Sequence, residues 1–222
     1  WGGENSTSQY IHTENWLKMN TMQSGHGGGH DVPVWEWITR DYQLKPAKPT
    51  LDAEPNYEDH PVNPWPKWDP ANGYFRDYDV RKQTYRSVLA GGCGVTYGHH
   101  AVWQFYSPKR EVVNHADRYW TEAINRPGAK QMGYLRRLME SRPMLQGIPD
   151  SALIASGQGE KGDRMVASRA ADGSYAMIYL PVGKTISVHT KNLKATELVC
   201  WWYDPRSGKA KKIGKMAKQP EM

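Results

Sequence analysis

Phenylalanine and cysteine are scarce in this chain, with two of each in 222 residues. No apolar run approaches the roughly 20 residues of a membrane-spanning helix, so such a span is not expected. Cys93 and Cys200 lie 107 positions apart, each in an apolar stretch. Cysteines so placed are more often buried and free than bridged, and they leave the compartment open. No signal peptide opens the chain at Trp1, so either a leader has been removed or the sequence is an internal piece of something longer. A hydrophobic content of 38% is low but sufficient for a core. The length allows one large domain or two modest ones.

The aromatic content lies elsewhere, in 10 Trp and 13 Tyr. These rings pair an apolar face with a polar edge and suit half-wet surfaces. A sugar-binding cleft is one such surface; small loop cores filled with Trp are the plainer alternative. The net charge of +6 is concentrated at the end of the chain: six basic and two acidic residues between Asp204 and Met222 account for +4 of it. A basic terminus reads as a solvated tail. No nucleic-acid motif accompanies it, so neither nucleic acid nor membrane is an expected partner.

Along the chain, residues 1–18 read as a polar loop with a helical turn near Glu14–Lys18. Met19–Ser24, Thr50–Glu54 and Gly94–Tyr97 read as short strands. Val32–Leu44, Tyr78–Ala90 and Ala129–Met139 carry helical spacing. Successive strand–helix units of this kind are the grammar of a parallel sheet or barrel, with polar-aromatic loops after each strand. After Arg142-Pro143 the pattern changes to strand-like runs at 153–156, 165–168, 175–180, 185–189 and 197–203. Turn signals at 159–162, Asp172-Gly173, 181–183 and 205–208 separate them. The expectation is an α/β portion at 1–142 followed by an all-β portion at 143–222, a small antiparallel β-sandwich.

The heptad Pro49-Thr50-Leu51-Asp52-Ala53-Glu54-Pro55 is the densest chemical signal. Strand alternation places Thr50, Asp52 and Glu54 on one face, and Pro55 ends the strand. A carboxylate at the carboxyl tip of a strand in an α/β protein is where catalytic groups sit; a turn after an edge strand is the bland equivalent. The run His26-Gly-Gly-Gly-His30-Asp31 invites a metal reading, but three glycines disfavour the helix that would hold both imidazoles on one face. No further ligand set follows at finger-like spacing, and the run reads better as a flexible pocket loop.

Five motifs occur in order: Met19-Asn-Thr-Met-Gln-Ser-Gly-His26, Lys48-Pro-Thr-Leu-Asp-Ala-Glu-Pro55, Gly92-Cys-Gly-Val-Thr-Tyr-Gly-His-His-Ala-Val-Trp103, Ser141-Arg-Pro143 and Trp201-Trp-Tyr-Asp-Pro-Arg-Ser-Gly208. Together they resemble the apiosidase-like glycoside hydrolases. That family joins a (β/α)8 barrel of the TIM type to a β-sandwich often labelled collagen-binding, a label that establishes no ligand. The resemblance implies that Met19–His26, Thr50–Glu54 and Gly94–His99 are the sixth, seventh and eighth strands, so that the first five would precede Trp1. It further implies that the family's sandwich has one more strand after Gly214.

For the chemistry, the resemblance implies Glu54 as nucleophile, with an acid/base carboxylate from the fourth strand. Such pairs stand about 5–5.5 Å apart in retaining enzymes and about 6.5–9.5 Å in inverting ones. Glu4 is a weaker alternative for the acid, because Gly-Gly precedes it. Asp52 is expected to hold Glu54 or a nearby cation, and Glu58 either contacts substrate or is a solvated loop acid. Gln23, Ser24 and His26 from the sixth strand end, with Tyr97, His99, His100 and Trp103 from the eighth, are expected at the sugar. Tyr57, Trp65 and Trp68 would form a subsite wall. The expected partner is an oligosaccharide or polysaccharide, with apiose-containing pectic side chains as the implied substrate. No cofactor or metal is implied, and the location expected is secreted or periplasmic. A non-catalytic carbohydrate-binding or vestigial protein is the alternative function. A three-stranded barrel piece has two open edges, so residues 1–142 are not expected to be a stable closed domain alone; self-association across those edges, or a missing barrel half, would cover them.

Overall fold

The computed structural model describes residues 5–222. A four-residue helix, α1 (Ser8–Ile11), precedes strand β1 (Asn20–Met22). Helix α2 (Val34–Tyr42), strand β2 (Thr50–Asp52), helix α3 (Asp77–Leu89) and strand β3 (Gly94–Val95) follow. The three strands form one parallel sheet in the order β1-β2-β3. Asn20 stands opposite Thr50, Met22 opposite Asp52, and Asp52 opposite Val95. All three chains therefore leave the sheet side by side at their carboxyl ends. The strands are shorter than their hydrophobic pattern suggests, and β2 stops at Asp52, so the alternation does not run on to Glu54.

α1 lies where a loop was expected, and the helical turn expected at Glu14–Lys18 is reduced to one turn, the Leu17 N–H donating to the Glu14 carbonyl. The cause of α1 is tertiary: the buried carboxylate of Asp41 on α2 accepts hydroxyl hydrogen bonds from Ser6 and Ser8, fixing it in place. α2 buries Val34, Trp35 and Ile38 on one face, as its spacing requires. α3 is polar yet buried nearly all round. It is tolerated there because its charged and amide side chains are partnered, although the Tyr85 and Ser87 hydroxyls make no close hydrogen bond. Asp79 accepts the Arg76 N–H at its amino end, Lys82 reaches Asp31, and Gln83 reaches Ser24. After β3 come two short helices, α4 (His100–Trp103) and α5 (Trp120–Ala123), then the long α6 (Pro127–Glu140), opened by proline in its first turn.

Beyond α6, strands β4 (Gly147–Pro149), β5 (Val166–Ala170) and β6 (Ala176–Tyr179) form an antiparallel sheet in that order. Strands β7 (Glu197–Asp204) and β8 (Lys209–Ala217) form a separate antiparallel ribbon. Two expected strands are not formed: residues 153–156 leave a 3-10 turn at Ser151–Leu153 and contribute only the bridge from Ile154 to Val188, and residues 185–189 contribute single bridges. Conversely, most of the basic stretch read as a solvated tail is β8, held by pairing with the aromatic β7 across a tight turn. In that turn Asp204 accepts the backbone N–H of Arg206, and Gly208 takes a positive φ of 69°.

The parallel and antiparallel portions share one core: Met22, Val34, Trp35, Ile38, Tyr85, Leu89 and Leu135 pack with Val166 and Tyr179. Arg86 of α3 fastens the junction. Its guanidinium donates to the carbonyls of Lys161, Gly162 and Arg164 and lies over the Trp35 ring. Both cysteines are free, as expected, but Cys93 is exposed rather than buried, in the turn that enters β3.

Candidate active site

The loops leaving β1 and β2 touch backbone to backbone. Ser24 and Gly25 both donate their N–H to the Glu54 carbonyl. A Cβ on Gly25 would stand 2.4 Å from the Asn56 nitrogen, so only glycine permits this approach. The contact carries His26 to Glu54, with His26 Nε2 3.5 Å from Glu54 Oε1. The other ring nitrogen of His26, Nδ1, accepts the Tyr57 backbone N–H at 3.3 Å. Nε2 is therefore the protonated nitrogen facing the carboxylate. That hydrogen bond is the main reason the Glu54 carboxyl is held below its usual range; partial burial opposes it, and the Tyr57 hydroxyl and Gln23 assist. Burial, then the neighbouring Glu54 charge, pushes the Tyr57 hydroxyl up to about 12.

The four carboxylates around these strand ends divide sharply by access. The Glu54 side chain is 33% exposed, whereas Glu58 is 0% and Asp59 1% exposed at the side chain and Asp52 0% overall. Asp52 accepts twice from the Ser24 hydroxyl, at 2.8 and 2.7 Å, and Ser24 in turn accepts from Gln83 of α3. Burial pushes the Asp52 carboxyl up to about 6, with the Ser24 and Ser87 hydroxyls opposing. It thus faces α3 and, among the described residues, holds Ser24 rather than Glu54. Glu58 Oε2 accepts from the Tyr97 hydroxyl at 2.6 Å and the Gly128 N–H at 3.0 Å. Burial raises its carboxyl despite the Tyr97 donor. It is neither a solvated loop acid nor open to a ligand.

His99 and His100 are likewise committed inside the protein. His99 Nε2 lies 3.2 Å from Asp59, and its Nδ1 accepts the Ala101 N–H. His100 Nε2 donates to the carbonyls of Val113 and Asn114, and its Nδ1 accepts from the Trp103 indole. Of the residues expected at the sugar from the ends of β1 and β3, Gln23, Tyr97 and Trp103 keep an open surface. Trp65 is exposed with its ring beside His60, but Trp68 packs against Tyr74 and His115. Glu4 lies outside the described residues. The His26–Asp31 run also separates: His30 pairs with Asp79, and Asp31 with Lys82 and Arg86.

The sequence reading missed two features. Asp59 is ringed by Arg76, Arg118, Arg126 and His99, which tie together the loops after β2 and β3. Burial pushes its carboxyl up, but these donors outweigh burial and hold it well below the usual range. His60 lies between His26 and His100, stacked on the first at 4.0 Å and edge-on to the second at 4.4 Å. The consecutive Glu58-Asp59-His60 was the available signal; their distant partners were not.

Comparison with known proteins addresses the family. The family model for an apiosidase-like catalytic domain matches residues 2–146, and the model for a collagen-binding domain of a collagenase matches residues 148–222. A solved glycoside hydrolase is 34% identical with a TM-score of 0.88, the match covering 97% of this chain and 50% of that one. A glycoside hydrolase family 5 structure from Bacteroides vulgatus is 31% identical with a TM-score of 0.89, covering 97% of this chain and 48% of that one. The chain thus spans about half the length of these solved relatives. No curated protein matched. With the catalytic-domain model matching well over half its length, the chain belongs to the apiosidase-like family and is related to the glycoside hydrolases.

Proposed function

We propose that this chain serves in the hydrolysis of O-glycosidic bonds in plant or complex polysaccharides, with Glu54 as the nucleophile. The observation that carries the reading is the asymmetry of access: Glu54 alone of the four clustered carboxylates reaches solvent, ionised and oriented by His26. An ionised, positioned carboxylate is what attack on an anomeric carbon requires. On this reading β1–β3 are the sixth to eighth strands of a (β/α)8 barrel, the acid/base carboxylate comes from another strand, and β4–β8 build the β-sandwich. Gln23, Tyr57, Tyr97 and Trp103 meet the sugar, and apiose-containing pectic side chains are the substrate.

The test is Glu54→Gln in a protein shown to hydrolyse a pectic oligosaccharide. The expected result is a loss of kcat of at least about 1000-fold, partly restored by azide with an activated aryl glycoside. Retained activity in Glu54→Gln would exclude the assignment. A second reading, non-catalytic sugar binding, is favoured by a specific observation: glycosidases need two carboxylates, and this cluster offers one with access. Sugar binding without turnover in the unmodified protein selects that reading.

A further inference from the structure

The β7–β8 ribbon pairs with no other strand among the described residues. Its register is regular near the turn: Trp201 stands opposite Lys212, Trp202 opposite Lys211, Tyr203 opposite Ala210, and Asp204 opposite Lys209. Alternation then puts Trp201, Tyr203, Ala210 and Lys212 on one face and Trp202, Asp204, Lys209 and Lys211 on the other. The first face meets the body at Tyr203, whose hydroxyl donates to the Tyr134 carbonyl of α6 at 2.9 Å, while Trp201 at its other end is 52% exposed. Gly208 in the turn also lies on the Tyr134 ring. The second face looks outward.

That outward face combines two features that a solvated surface does not require together. Trp202 is 52% exposed, a large apolar plane in water. Lys209 and Lys211 flank it, and neither has an ion-pair partner among the described residues. The nearby acids are taken: Asp204 pairs with Arg206, and Glu197 with Lys215. A flat apolar ring beside two ammonium groups that make no ion pair among the described residues, with Asp204 on the same face held by Arg206, is complementary to a ligand with apolar ring faces and negative substituents.

We propose that this face binds an acidic, carboxylate-bearing polysaccharide, with Trp202 stacking on a sugar ring and Lys209 and Lys211 pairing with its carboxylates. The proposal rests on the polysaccharide reading above but not on Glu54. It adds that the polymer is anionic and is gripped away from the site of cleavage.

The experiment is calorimetric titration of the chain with polygalacturonate, with dextran and with single-stranded poly(dT). Because the chain carries a net +6, generic ionic attraction must be separated from a built site. Trp202→Ala leaves charge unchanged, and the pair Lys209→Ala/Lys211→Ala is matched by a control, Lys45→Ala/Lys130→Ala, elsewhere on the surface. Expected are polygalacturonate binding that weakens about 10-fold in Trp202→Ala and in the ribbon lysine pair, with no effect of the control pair. Trp202→Tyr keeps a ring and should keep binding, which holds the test open if Trp202→Ala unfolds the ribbon. Glu54→Gln should bind as the parent does, so failure of the catalytic reading and of this one are separable. No binding to polygalacturonate overturns the proposal, as does equal loss in both lysine pairs, tighter binding to poly(dT), or a Trp202-dependent dimer in place of ligand binding.

Discussion

His26 lies face to face with His60, ring centroids 4.0 Å apart and planes within 15°, while its Nε2 points at Glu54 from 3.5 Å. One imidazole thus belongs to two structures, a stack of buried histidines and the hydrogen bond that sets the accessible carboxylate. Burial, then the neighbouring rings, pushes His60 down to about 2, and burial pushes His100 down to about 4. The groups facing His26 are Glu54, Tyr57, His60 and the Phe75 ring.

The first prediction follows. His26→Phe keeps an aromatic plane on His60 and removes the donor to Glu54. The Glu54 carboxyl is then expected to rise toward its ordinary value, since the His26 hydrogen bond is the main cause of its depression. Carboxyl-carbon NMR titration of Glu54 in parent and variant reads this directly. An unchanged midpoint would show that His26 does not set the charge. In the active protein the acidic limb of the rate profile should shift upward by the same amount.

Asp52 predicts a pH dependence of stability. Its carboxyl titrates near 6 in the folded chain against an ordinary 3.8. Between those values the folded form holds a proton that the unfolded form has released. The contribution of Asp52 is therefore fully present below about pH 4, falls as pH rises to about 6, and is flat above that. The full difference amounts to about 3 kcal/mol at the conversion of 1.36 kcal/mol per unit. Urea melts of the parent and Asp52→Asn at pH 4, 5, 6 and 7 should diverge over that window, the variant gaining relative to the parent as pH rises. Parallel curves would refute it.

Arg86 predicts a defect at the junction of the two portions. Its guanidinium is almost wholly buried and serves three backbone carbonyls of the segment 161–164. Arg86→Ala leaves those acceptors without their donor and should cost about 2–4 kcal/mol in unfolding free energy. Arg86→Lys should recover little, because one ammonium cannot span what the planar fork spans. Hydrogen exchange should localise the loosening to β5 and the turn before it; a uniform change would argue for a general packing loss instead.

Legibility from the sequence followed the range of the interactions involved. The helices α2, α3 and α6 were visible because apolar spacing and the proline and glycine boundaries act within a few residues. The strand positions were visible, but their ends were not, since a strand stops where its neighbour stops pairing. β8 was invisible because lysine-rich strands have little intrinsic preference for the form, and pairing with β7 supplies it. The sandwich strand expected at 185–189 failed for the converse reason, apolar alternation without a partner ladder.

The sequence by itself determined that Glu54 stands at the end of a short strand, that a turn breaks the chain at 205–208, and that the family motifs stand in order. Each depends on neighbouring residues or on direct resemblance. Only the tertiary structure decided which acids are accessible. Asp52, Glu58 and Asp59 look no different from Glu54 in one dimension, yet burial against Ser24, Tyr97 and a ring of arginines seals them. Access and ionisation are set by what surrounds a carboxylate in space, and those surroundings here come from residues tens of positions away.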